Sequence, residues 1–420
     1  MQRILVRGRG PLNGTVPIAG AKNSALKLMA ATLLAEGRYV VDNVPHIVDV
    51  EIMSDVLTSM GVDVTRRGHQ LTVDCPAEVV PHAPYELVEQ MRASIVVLGP
   101  LLARTGTARV AVPGGDNFGP RPIDMHLRGL EALGATFESA HGYIEGRCHQ
   151  LNGNRVLLDF PSVGATENLL MAAVRAKGTT VIDNAAREPE IADLAAFLQA
   201  MGAQIAGAGT STIEIDGVEE LRPVTHRVIP DRIEAGTFLT ALGAAGGEVF
   251  LEGARADHMD MFLAKLREMG MQVTDSDDGV VASCAPGGLR SVDVSTLPYP
   301  GVATDYKPFF AVLLAVAKGV GIITENLFAG RFAYVDELVR MGAQIRTEGH
   351  HAVVRGVRRL SGAPVRAPDI RAGAALVVAG LAAEGETVVG EAQHIARGYE
   401  DLPGKLRALG ADVEAVAASS

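Results

Sequence analysis

The 420-residue sequence contains no tryptophan, few aromatic residues and only three cysteines. Aromatic residues make up 4% of the chain, which disfavours aromatic stacking as the main mode of recognition. Cys75, Cys148 and Cys284 lie far apart and form no CxxC motif, so neither a zinc site nor a disulfide framework is expected. No apolar stretch reaches the roughly 18 residues of a membrane-spanning helix, and the first residues lack a signal core. These absences predict a cytoplasmic protein.

Basic residues are in the minority, at 38 lysines and arginines against 49 aspartates and glutamates, and the net charge is −11. A general binder of nucleic acid or of anionic membranes needs a basic surface. The composition therefore predicts neither nucleic-acid nor membrane partners, and it leaves the oligomeric state open. Any anionic ligand must be held by a local cluster of cations. The length favours two or more domains, and an apolar fraction of 48% is ample for their cores.

Two short phrases recur six times at a spacing of about 70 residues, which is 420 divided by six. The first phrase, Leu-x-x-(Leu/Met)-Gly, ends in Gly61, Gly134, Gly202, Gly270, Gly342 and Gly410. The second, an alanine-containing helix end, finishes in Gly37, Gly106, Gly178, Gly247, Gly319 and Gly385. Both are typical of a helix that stops at a left-handed glycine before a strand. Each unit is therefore predicted to hold two helices, each leading into a strand.

Some of these predicted helices, such as residues 168–176 and 372–383, are apolar on nearly all sides. A helix of this kind is buried, so we expect helices inside and sheets outside. A solenoid of six units is the alternative, but solenoid repeats are usually shorter and keep a polar helix face. Two domains of three units each fit the length better.

The segment GAKNSALKLM at residues 20–29 opens the first predicted helix, with Asn23 or Ser24 as its cap. Lys22 would lie beside free backbone N–H groups, where a phosphate binds well. Taken alone, the segment favours an ordinary capped helix with a surface lysine.

Residues 112–126 are predicted to form an exposed loop, rich in glycine and proline, that enters a helix. The segment presents Asp116, Arg121, Asp124 and His126, and a loop with an acid and an arginine suits a lid that excludes water. The alternative is a surface turn formed by Asp116, with His126 packed on the helix. The density of functional residue types favours a site, whereas His126 fits either interpretation.

Five further arginines stand near expected junctions of loop and helix, namely Arg92, Arg232, Arg331, Arg371 and Arg397. Each alone is typical of a surface ion pair, but together they would form an anion trap in an acidic protein. Asp305 could accept a proton from a hydroxyl group or cap the next helix. Without further information the cap is favoured.

These segments, in order along essentially the whole chain, resemble the UDP-N-acetylglucosamine 1-carboxyvinyltransferases. The matching motifs are GAKNSA (20–25), MRAS (91–94), PGGxxxGxRPxDxH (113–126), SVGAT (162–166), NAAREPE (184–190), PDRIExGT (230–237), TD (304–305), DxR (369–371) and RGYE (397–400). The sister enzyme of the shikimate pathway shares the fold but opens with a Gly-Ser-Lys-Ser type of segment, so it is the second choice.

The resemblance implies an α/β (α+β) fold of two inside-out, barrel-like domains, or inverse α/β prisms. Each would contain three units of about 70 residues around buried helices. One domain is expected at residues 22–229, with the lid loop at about 112–122, and the other at residues 1–21 and 230–420. Substrates are expected in the cleft that the lid closes.

The implied reaction transfers the enolpyruvyl group of phosphoenolpyruvate to the 3-hydroxyl of UDP-N-acetylglucosamine and releases phosphate. This is the first committed step of peptidoglycan precursor synthesis, and it proceeds by addition and elimination through a tetrahedral intermediate. The two substrates are the expected partners, and no cofactor and no metal are expected. A paralogue acting on another nucleotide in secondary metabolism and a catalytically silent nucleotide-sugar-binding regulator are the alternatives.

By residue match, Lys22, Arg121 and Arg397 hold phosphoenolpyruvate, with Arg331 and Arg371 near its carboxylate. Asn23 and Arg92 position the substrates. The expected catalytic set is Lys22, Asp116, Asp305 and Arg397, with Asp305 as the general base at the accepting hydroxyl. The other expected substrate contacts are Pro122, Ile123, Asp124, Met125, Phe160, Pro161, Ser162, Val163, Gly164, Arg232, Leu327 and Asp369.

The chain departs from the usual family pattern at a few positions. Most members carry cysteine in place of Asp116; an aspartic acid can still protonate the methylene carbon, but it cannot form the thioether that fosfomycin makes. We therefore expect intrinsic fosfomycin resistance. Lys307 replaces a usual glutamine and is expected to lower the pKa of Asp305. Ala329 and Gly330 stand where the family usually has a glutamate and a polar residue. Phe160 stands where some members use a lysine near the diphosphate, although an apolar residue is also common there.

Overall fold

The computed structural model describes residues 2–114, 123–328 and 330–417, and it is a mixed α/β structure. Its strands are β1 (Gln2–Arg7), β2 (Leu12–Pro17), β3 (Gly37–Asp42), β4 (Asp63–Arg67), β5 (Gln70–Cys75), β6 (His82–Ala83), β7 (Thr107–Ala111), β8 (Thr136–Ala140), β9 (Tyr143–Arg147), β10 (Arg155–Leu157), β11 (Thr179–Asp183), β12 (Gln204–Ala206), β13 (Thr212–Asp216), β14 (Thr225–Arg227), β15 (Gly247–Glu252), β16 (Gln272–Ser276), β17 (Gly279–Cys284), β18 (Val294–Ser295), β19 (Val320–Thr324), β20 (Gln344–Glu348), β21 (His351–Arg355), β22 (Leu360–Ser361), β23 (Pro364–Arg366), β24 (Ala383–Glu384), β25 (Glu386–Gly390) and β26 (Asp412–Ala417).

The helices are α1 (Lys22–Ala31), α2 (Val48–Ser59), α3 (Tyr85–Val88), α4 (Leu98–Thr105), α5 (Asp124–Ala132), α6 (Val163–Ala173), α7 (Pro189–Ala200), α8 (Arg232–Ala245), α9 (Asp260–Met269), α10 (Lys307–Val316), α11 (Tyr334–Arg340), α12 (Ile370–Leu381), α13 (Gln393–Ala396) and α14 (Leu402–Ala408). Short 3₁₀ helices lie at Thr32–Leu34, Arg92–Val97, Ala256–His258 and Thr304–Tyr306. Among the described residues, no helix combines the length and the apolar character needed to cross a membrane.

The chain divides into two compact units. Within the described residues, the first unit covers residues 20–114 and 123–229, and the second covers residues 2–19, 230–328 and 330–417. Each unit has its own cluster of buried apolar side chains.

The described residues form six four-stranded sheets that share one pairing pattern. In each, one parallel pair of strands is extended on one side by two antiparallel pairings. The strand orders in the first unit are β14-β3-β5-β4, β6-β7-β9-β8 and β10-β11-β13-β12. Those in the second unit are β16-β17-β15-β2, β18-β19-β21-β20 and β23-β25-β1-β26, with a two-stranded sheet β22-β24 beside them.

The apolar helices are buried within each unit, as their sequence predicted. All residues of α12 are buried, and α6 and α8 are buried over nearly their whole length. The neighbouring strands alternate instead, as in β21, where every second residue is exposed. A helix without a polar face must be enclosed, whereas a sheet with one polar face can cover it.

The glycines of both recurring phrases have positive φ angles, all twelve between 71° and 127°. At Gly342, for example, φ is +87° directly after the last turn of α11. Residues with a Cβ rarely adopt this conformation, so glycine ends the helix and turns the chain into the next strand. The left-handed geometry predicted for these positions is confirmed.

Candidate active site

Lys22 is the first residue of α1, and its Nζ lies 2.9 Å from Oδ2 of the buried Asp49. The prediction that Asn23 or Ser24 caps this helix is wrong, because Ala21 is the N-cap and no side chain caps it. The Ser24 hydroxyl instead donates to the carboxylate of Asp193, which is buried with it. The start of α1 is thus fixed by tertiary contacts, with a cation at its N-terminal turn.

Arg92 opens the 3₁₀ helix that leads into α4, and burial lowers the pKa of its guanidinium. His126 lies nearby and is itself buried, with its Nδ1 2.8 Å from Nδ2 of Asn168. Burial, and then the charge of Arg92, lower the pKa of His126 to about 4. His126 is therefore a neutral, packed helix residue, which was one of the two interpretations of its sequence.

Residues 160–164 form the entry to α6, and Ser162 caps that helix by accepting from the backbone N–H of Ala165 at 3.3 Å. Phe160 is 41% exposed, so it is available to a ligand. A side chain at Gly164 would meet the His126 ring at 2.9 Å, which keeps this position small. Pro161 and Val163 are half-buried.

Ile123 is the N-cap residue of α5, and Asp124 and Met125 form its first turn. Asp124 is exposed and accepts a hydrogen bond of 2.6 Å from Nη2 of Arg128. Three of the predicted site residues, Asp116, Arg121 and Pro122, lie outside the described residues.

In the second unit, Asp305 is ion-paired with two buried arginines. Its Oδ1 lies 2.9 Å from Nη1 of Arg331, and its Oδ2 lies 3.3 Å from Nε of Arg371. The prediction that Asp305 caps a helix is wrong, because neither the 3₁₀ helix at Thr304–Tyr306 nor α10 has a side-chain cap. The carboxylate is a quarter exposed, so it can reach a ligand.

Arg371 lies in the first turn of α12, where Asp369 is the N-cap. The Asp369 carboxylate accepts from the backbone N–H groups of Arg371 at 2.8 Å and Ala372 at 2.9 Å. The guanidinium carbon of Arg371 lies 5.2 Å from the ring centroid of Tyr399. Burial raises the pKa of that tyrosine to about 12, against the lowering effect of Arg371. Asp369 thus fixes the backbone from which the Arg371 side chain extends.

The remaining predicted residues of this unit also lie at element ends. Arg232 begins α8, which Asp231 caps through the N–H groups of Ile233 and Glu234 at 2.8 and 3.1 Å. Arg397 is half-buried and ends α13. The backbone N–H of Leu327 donates to Glu325 at 2.7 Å.

The prediction that Lys307 acts on Asp305 names the wrong partner. Nζ of Lys307 lies 2.8 Å from Oε2 of Glu325, and both residues are fully buried. The cations paired with Asp305 are Arg331 and Arg371. Sequence reasoning missed Glu325, whose only local signal is an acidic residue directly after the apolar strand β19.

In each unit, several of the predicted site residues lie at the starts of buried helices. In the first unit these are α1, the 3₁₀ entry to α4, and α6; in the second they are α8, α10 and α12. Helix N-termini carry partial positive charge and free N–H groups, which favour anions. With lysine and arginine added, each set suits phosphate or carboxylate groups, and Asp305 provides a carboxylate that can take a proton.

Comparison with known proteins gives consistent matches over the full chain. Residues 6–406 match the family EPSP synthase (3-phosphoshikimate 1-carboxyvinyltransferase). The chain is 51% identical over 417 residues to UDP-N-acetylglucosamine 1-carboxyvinyltransferase 2 of Carboxydothermus hydrogenoformans, covering 99% of this chain and all of that one (100%). It is also 51% identical over 421 residues to the UDP-N-acetylglucosamine 1-carboxyvinyltransferase of Nocardia farcinica, covering 99% of each. The crystal structure of the enolpyruvyl transferase NikO from Streptomyces tendae superposes with a TM-score of 0.90 at 28% identity, covering 100% and 99% of the two chains.

Proposed function

The chain belongs to the UDP-N-acetylglucosamine 1-carboxyvinyltransferases of the EPSP synthase family, and from this we propose which of its residues carry the reaction. The enzyme uses phosphoenolpyruvate and UDP-N-acetylglucosamine in the synthesis of peptidoglycan precursors. The acceptor position is the 3-hydroxyl of the sugar, and the leaving group is inorganic phosphate.

The cations of the first unit bind the anionic groups of the substrates. Lys22 binds phosphoenolpyruvate, supported by its place at the N-terminal turn of α1, where the half-buried side chain is held by Asp49. Asn23 and Arg92 position the two substrates. Residues 160–164 contact the nucleotide sugar, supported by the exposed Phe160 at the entry to α6. Ile123, Asp124 and Met125 contact it from the start of α5.

In the second unit, Arg331 and Arg371 bind the carboxylate of phosphoenolpyruvate, and Arg397 binds the same substrate. The other substrate contacts in this unit are Arg232, Leu327 and Asp369. Asp369 acts through its hydrogen bond from the backbone N–H of Arg371. Asp305 is the general base, and the observation that carries this assignment is its fixed position between two buried guanidinium groups.

The reaction is an addition followed by an elimination. Asp305 takes the proton of the 3-hydroxyl as that oxygen bonds to C2 of phosphoenolpyruvate, while Asp116 donates a proton to C3. In the resulting tetrahedral intermediate, C3 then returns a proton to the carboxylate of Asp116 as the bond between C2 and the phosphate oxygen breaks, and the phosphate leaves with the proton held by Asp305. The enolpyruvyl ether and phosphate leave, and no redox change occurs, so the step balances without a cofactor or a metal.

We also propose the domain organisation that the sequence period predicts. The two domains are residues 22–229 and residues 1–21 with 230–420, each an inside-out prism of three repeated units, with a lid at about residues 112–122. The shared pairing pattern of the six sheets and the twelve positive-φ glycines support the repeats. We further propose that the enzyme acts in the cytoplasm.

The experiment that tests the function measures phosphate release from phosphoenolpyruvate with several nucleotide acceptors. We expect turnover that requires UDP-N-acetylglucosamine, since the relatives at 51% identity are UDP-N-acetylglucosamine 1-carboxyvinyltransferases. Turnover only with another nucleotide would identify a paralogue of secondary metabolism. Binding of UDP-N-acetylglucosamine without any turnover would identify a silent regulator.

A further inference from the structure

Glu325 and Lys307 form a buried ion pair that the proposed reaction does not use. Glu325 follows strand β19 and Lys307 begins α10, and neither side chain is exposed. Oε2 of the carboxylate lies 2.8 Å from Nζ of the lysine. A buried charge is unfavourable unless it is paired and hydrogen-bonded. The contacts of these two side chains therefore indicate what the pair does.

One oxygen of Glu325 holds the backbone of the following loop. Oε1 accepts from the N–H groups of Leu327 at 2.7 Å and Phe328 at 3.1 Å, and from the Thr296 hydroxyl at 2.7 Å. Ionised carboxylates accept such bonds about twice as strongly as neutral groups. The carboxylate therefore fixes the path of the chain at Leu327, a proposed contact of the nucleotide sugar.

The other oxygen reaches the proposed base through a short chain of hydrogen bonds. Oε2 accepts from the Thr304 hydroxyl at 2.7 Å. The oxygen of that hydroxyl accepts from Nη1 of Arg331 at 3.2 Å, and the same Nη1 donates to Asp305 at 2.9 Å. Because Thr304 precedes Asp305 in the chain, its hydroxyl fixes the turn that carries the base.

Lys307 supplies the charge that keeps Glu325 ionised in the interior. Its Nζ also lies 4.1 Å from the ring centroid of Phe332, a favourable position for a cation. Four hydrogen-bond donors converge on the two oxygens of Glu325, and Nζ of Lys307 adds an ion pair. A carboxylate has about four lone-pair sites, so its accepting capacity is filled.

We infer that Lys307 and Glu325 are positioning residues for the acceptor substrate, holding Leu327 and Asp305 in one fixed relation to each other. The inference rests on the proposed roles of those two residues. It concerns mainly the acceptor and the rate of the transfer. Because Arg331 belongs to the same network, the affinity for phosphoenolpyruvate should change as well, but less than the affinity for the acceptor.

The charge state of Lys307 provides a second test of the inference, because it changes with pH. The charged or titratable groups around Lys307 are Glu325 on the strand end, Arg331 before α11, Tyr334 in α11 and Asp369 before α12. Burial lowers the pKa of Lys307 to about 8, with Glu325 opposing and Arg331 adding to the shift. Above that pH the lysine becomes neutral, and Glu325 loses its counter-charge.

The test compares Lys307→Met and Glu325→Gln with the wild-type enzyme by steady-state kinetics in both substrates. We expect KM for UDP-N-acetylglucosamine to rise about tenfold and kcat to fall by about the same factor, with KM for phosphoenolpyruvate changed less than about threefold. The matched control is Glu268→Gln, which breaks an exposed pair with Lys265 of the same 2.8 Å separation. The control should behave as wild type.

The wild-type enzyme also provides a readout that needs no variant to fold. Its KM for UDP-N-acetylglucosamine should rise at least about threefold from pH 7 to pH 9, and Lys307→Met should remove this rise. An unchanged acceptor KM in both variants, or equal changes in the two KM values, would overturn the positioning role. Wild-type enzyme that releases no phosphate with UDP-N-acetylglucosamine would instead overturn the proposed function, and the inference with it.

Discussion

Nη1 of Arg331 lies 2.9 Å from Oδ1 of Asp305, so the proposed base is ion-paired before any substrate arrives. A carboxylate between two guanidinium groups is held in one orientation. A substrate carboxylate that binds the same arginines would make Asp305 available to accept a proton.

Asp305→Asn keeps the shape of the side chain but removes its ability to take a proton. We expect kcat to fall by about 10²–10⁴-fold, the usual contribution of a positioned base. The control is Asp257→Asn, because Asp257 is an exposed aspartate held by an arginine, Arg255. A kcat within a few-fold of wild type, measured by phosphate release, would show that Asp305 is not the base.

Asp116 leads to a prediction about fosfomycin. An aspartate cannot form the thioether that the drug makes with cysteine, so the wild-type enzyme should keep full activity after incubation with micromolar drug. Asp116→Cys should become sensitive and gain the mass of the adduct, which mass spectrometry detects. Inactivation of the wild-type enzyme would contradict the prediction.

Asp369 is expected to matter for both stability and substrate binding. Asp369→Ala removes the cap of α12 and should lower the free energy of unfolding by about 0.5–2 kcal/mol. It should also raise KM for phosphoenolpyruvate, because Arg371 loses its backbone anchor. Asp369→Asn keeps an acceptor and should do less. Asp401→Ala, which removes the cap of α14, is the control that should lower stability without raising that KM.

The buried Glu167 should make the free energy of unfolding of the first unit depend on pH. The side chain is fully buried, 3.5 Å from Lys27, and burial raises its pKa to about 7. Between the ordinary carboxyl pKa of 4.5 and this value, the folded chain binds the extra proton. The free energy of unfolding should therefore fall as the pH rises through this window, by about 3 kcal/mol at most, and then level off.

Denaturant unfolding at pH 5 and pH 7.5 measures this effect. Glu167→Gln should show a smaller difference between the two pH values, whereas Glu138→Gln, which changes an exposed glutamate, should match the wild type. Equal pH dependence in all three proteins would mean that Glu167 titrates normally.

The sequence predicts well what is local and periodic. The apolar helices and the glycines that end them follow from composition within a few residues, and Gly342 and α12 are found as expected. The candidate site residues were predicted from the family motifs that occur in order along the chain. In the structure, Asp305 contacts both Arg331 and Arg371.

What the sequence could not predict depends on partners far apart in the chain. Ser24 is a residue type that often caps helices, yet its hydroxyl donates a hydrogen bond to Asp193 in α7. Lys307 lies two positions from Asp305, but its position at the start of α10 directs it to Glu325 instead. Local propensity cannot anticipate such choices, because tertiary contacts decide them.

The contact between Asp305 and the two arginines has a consequence for inhibitors. The protein carries an internal competitor, since its own carboxylate already occupies the place where a ligand's carboxylate is proposed to bind. A compound with a single acidic group would only exchange one anion for another and gain little affinity. A tightly binding ligand should carry an acidic group for the arginines and, beside it, a hydroxyl or an amine that pairs with Asp305.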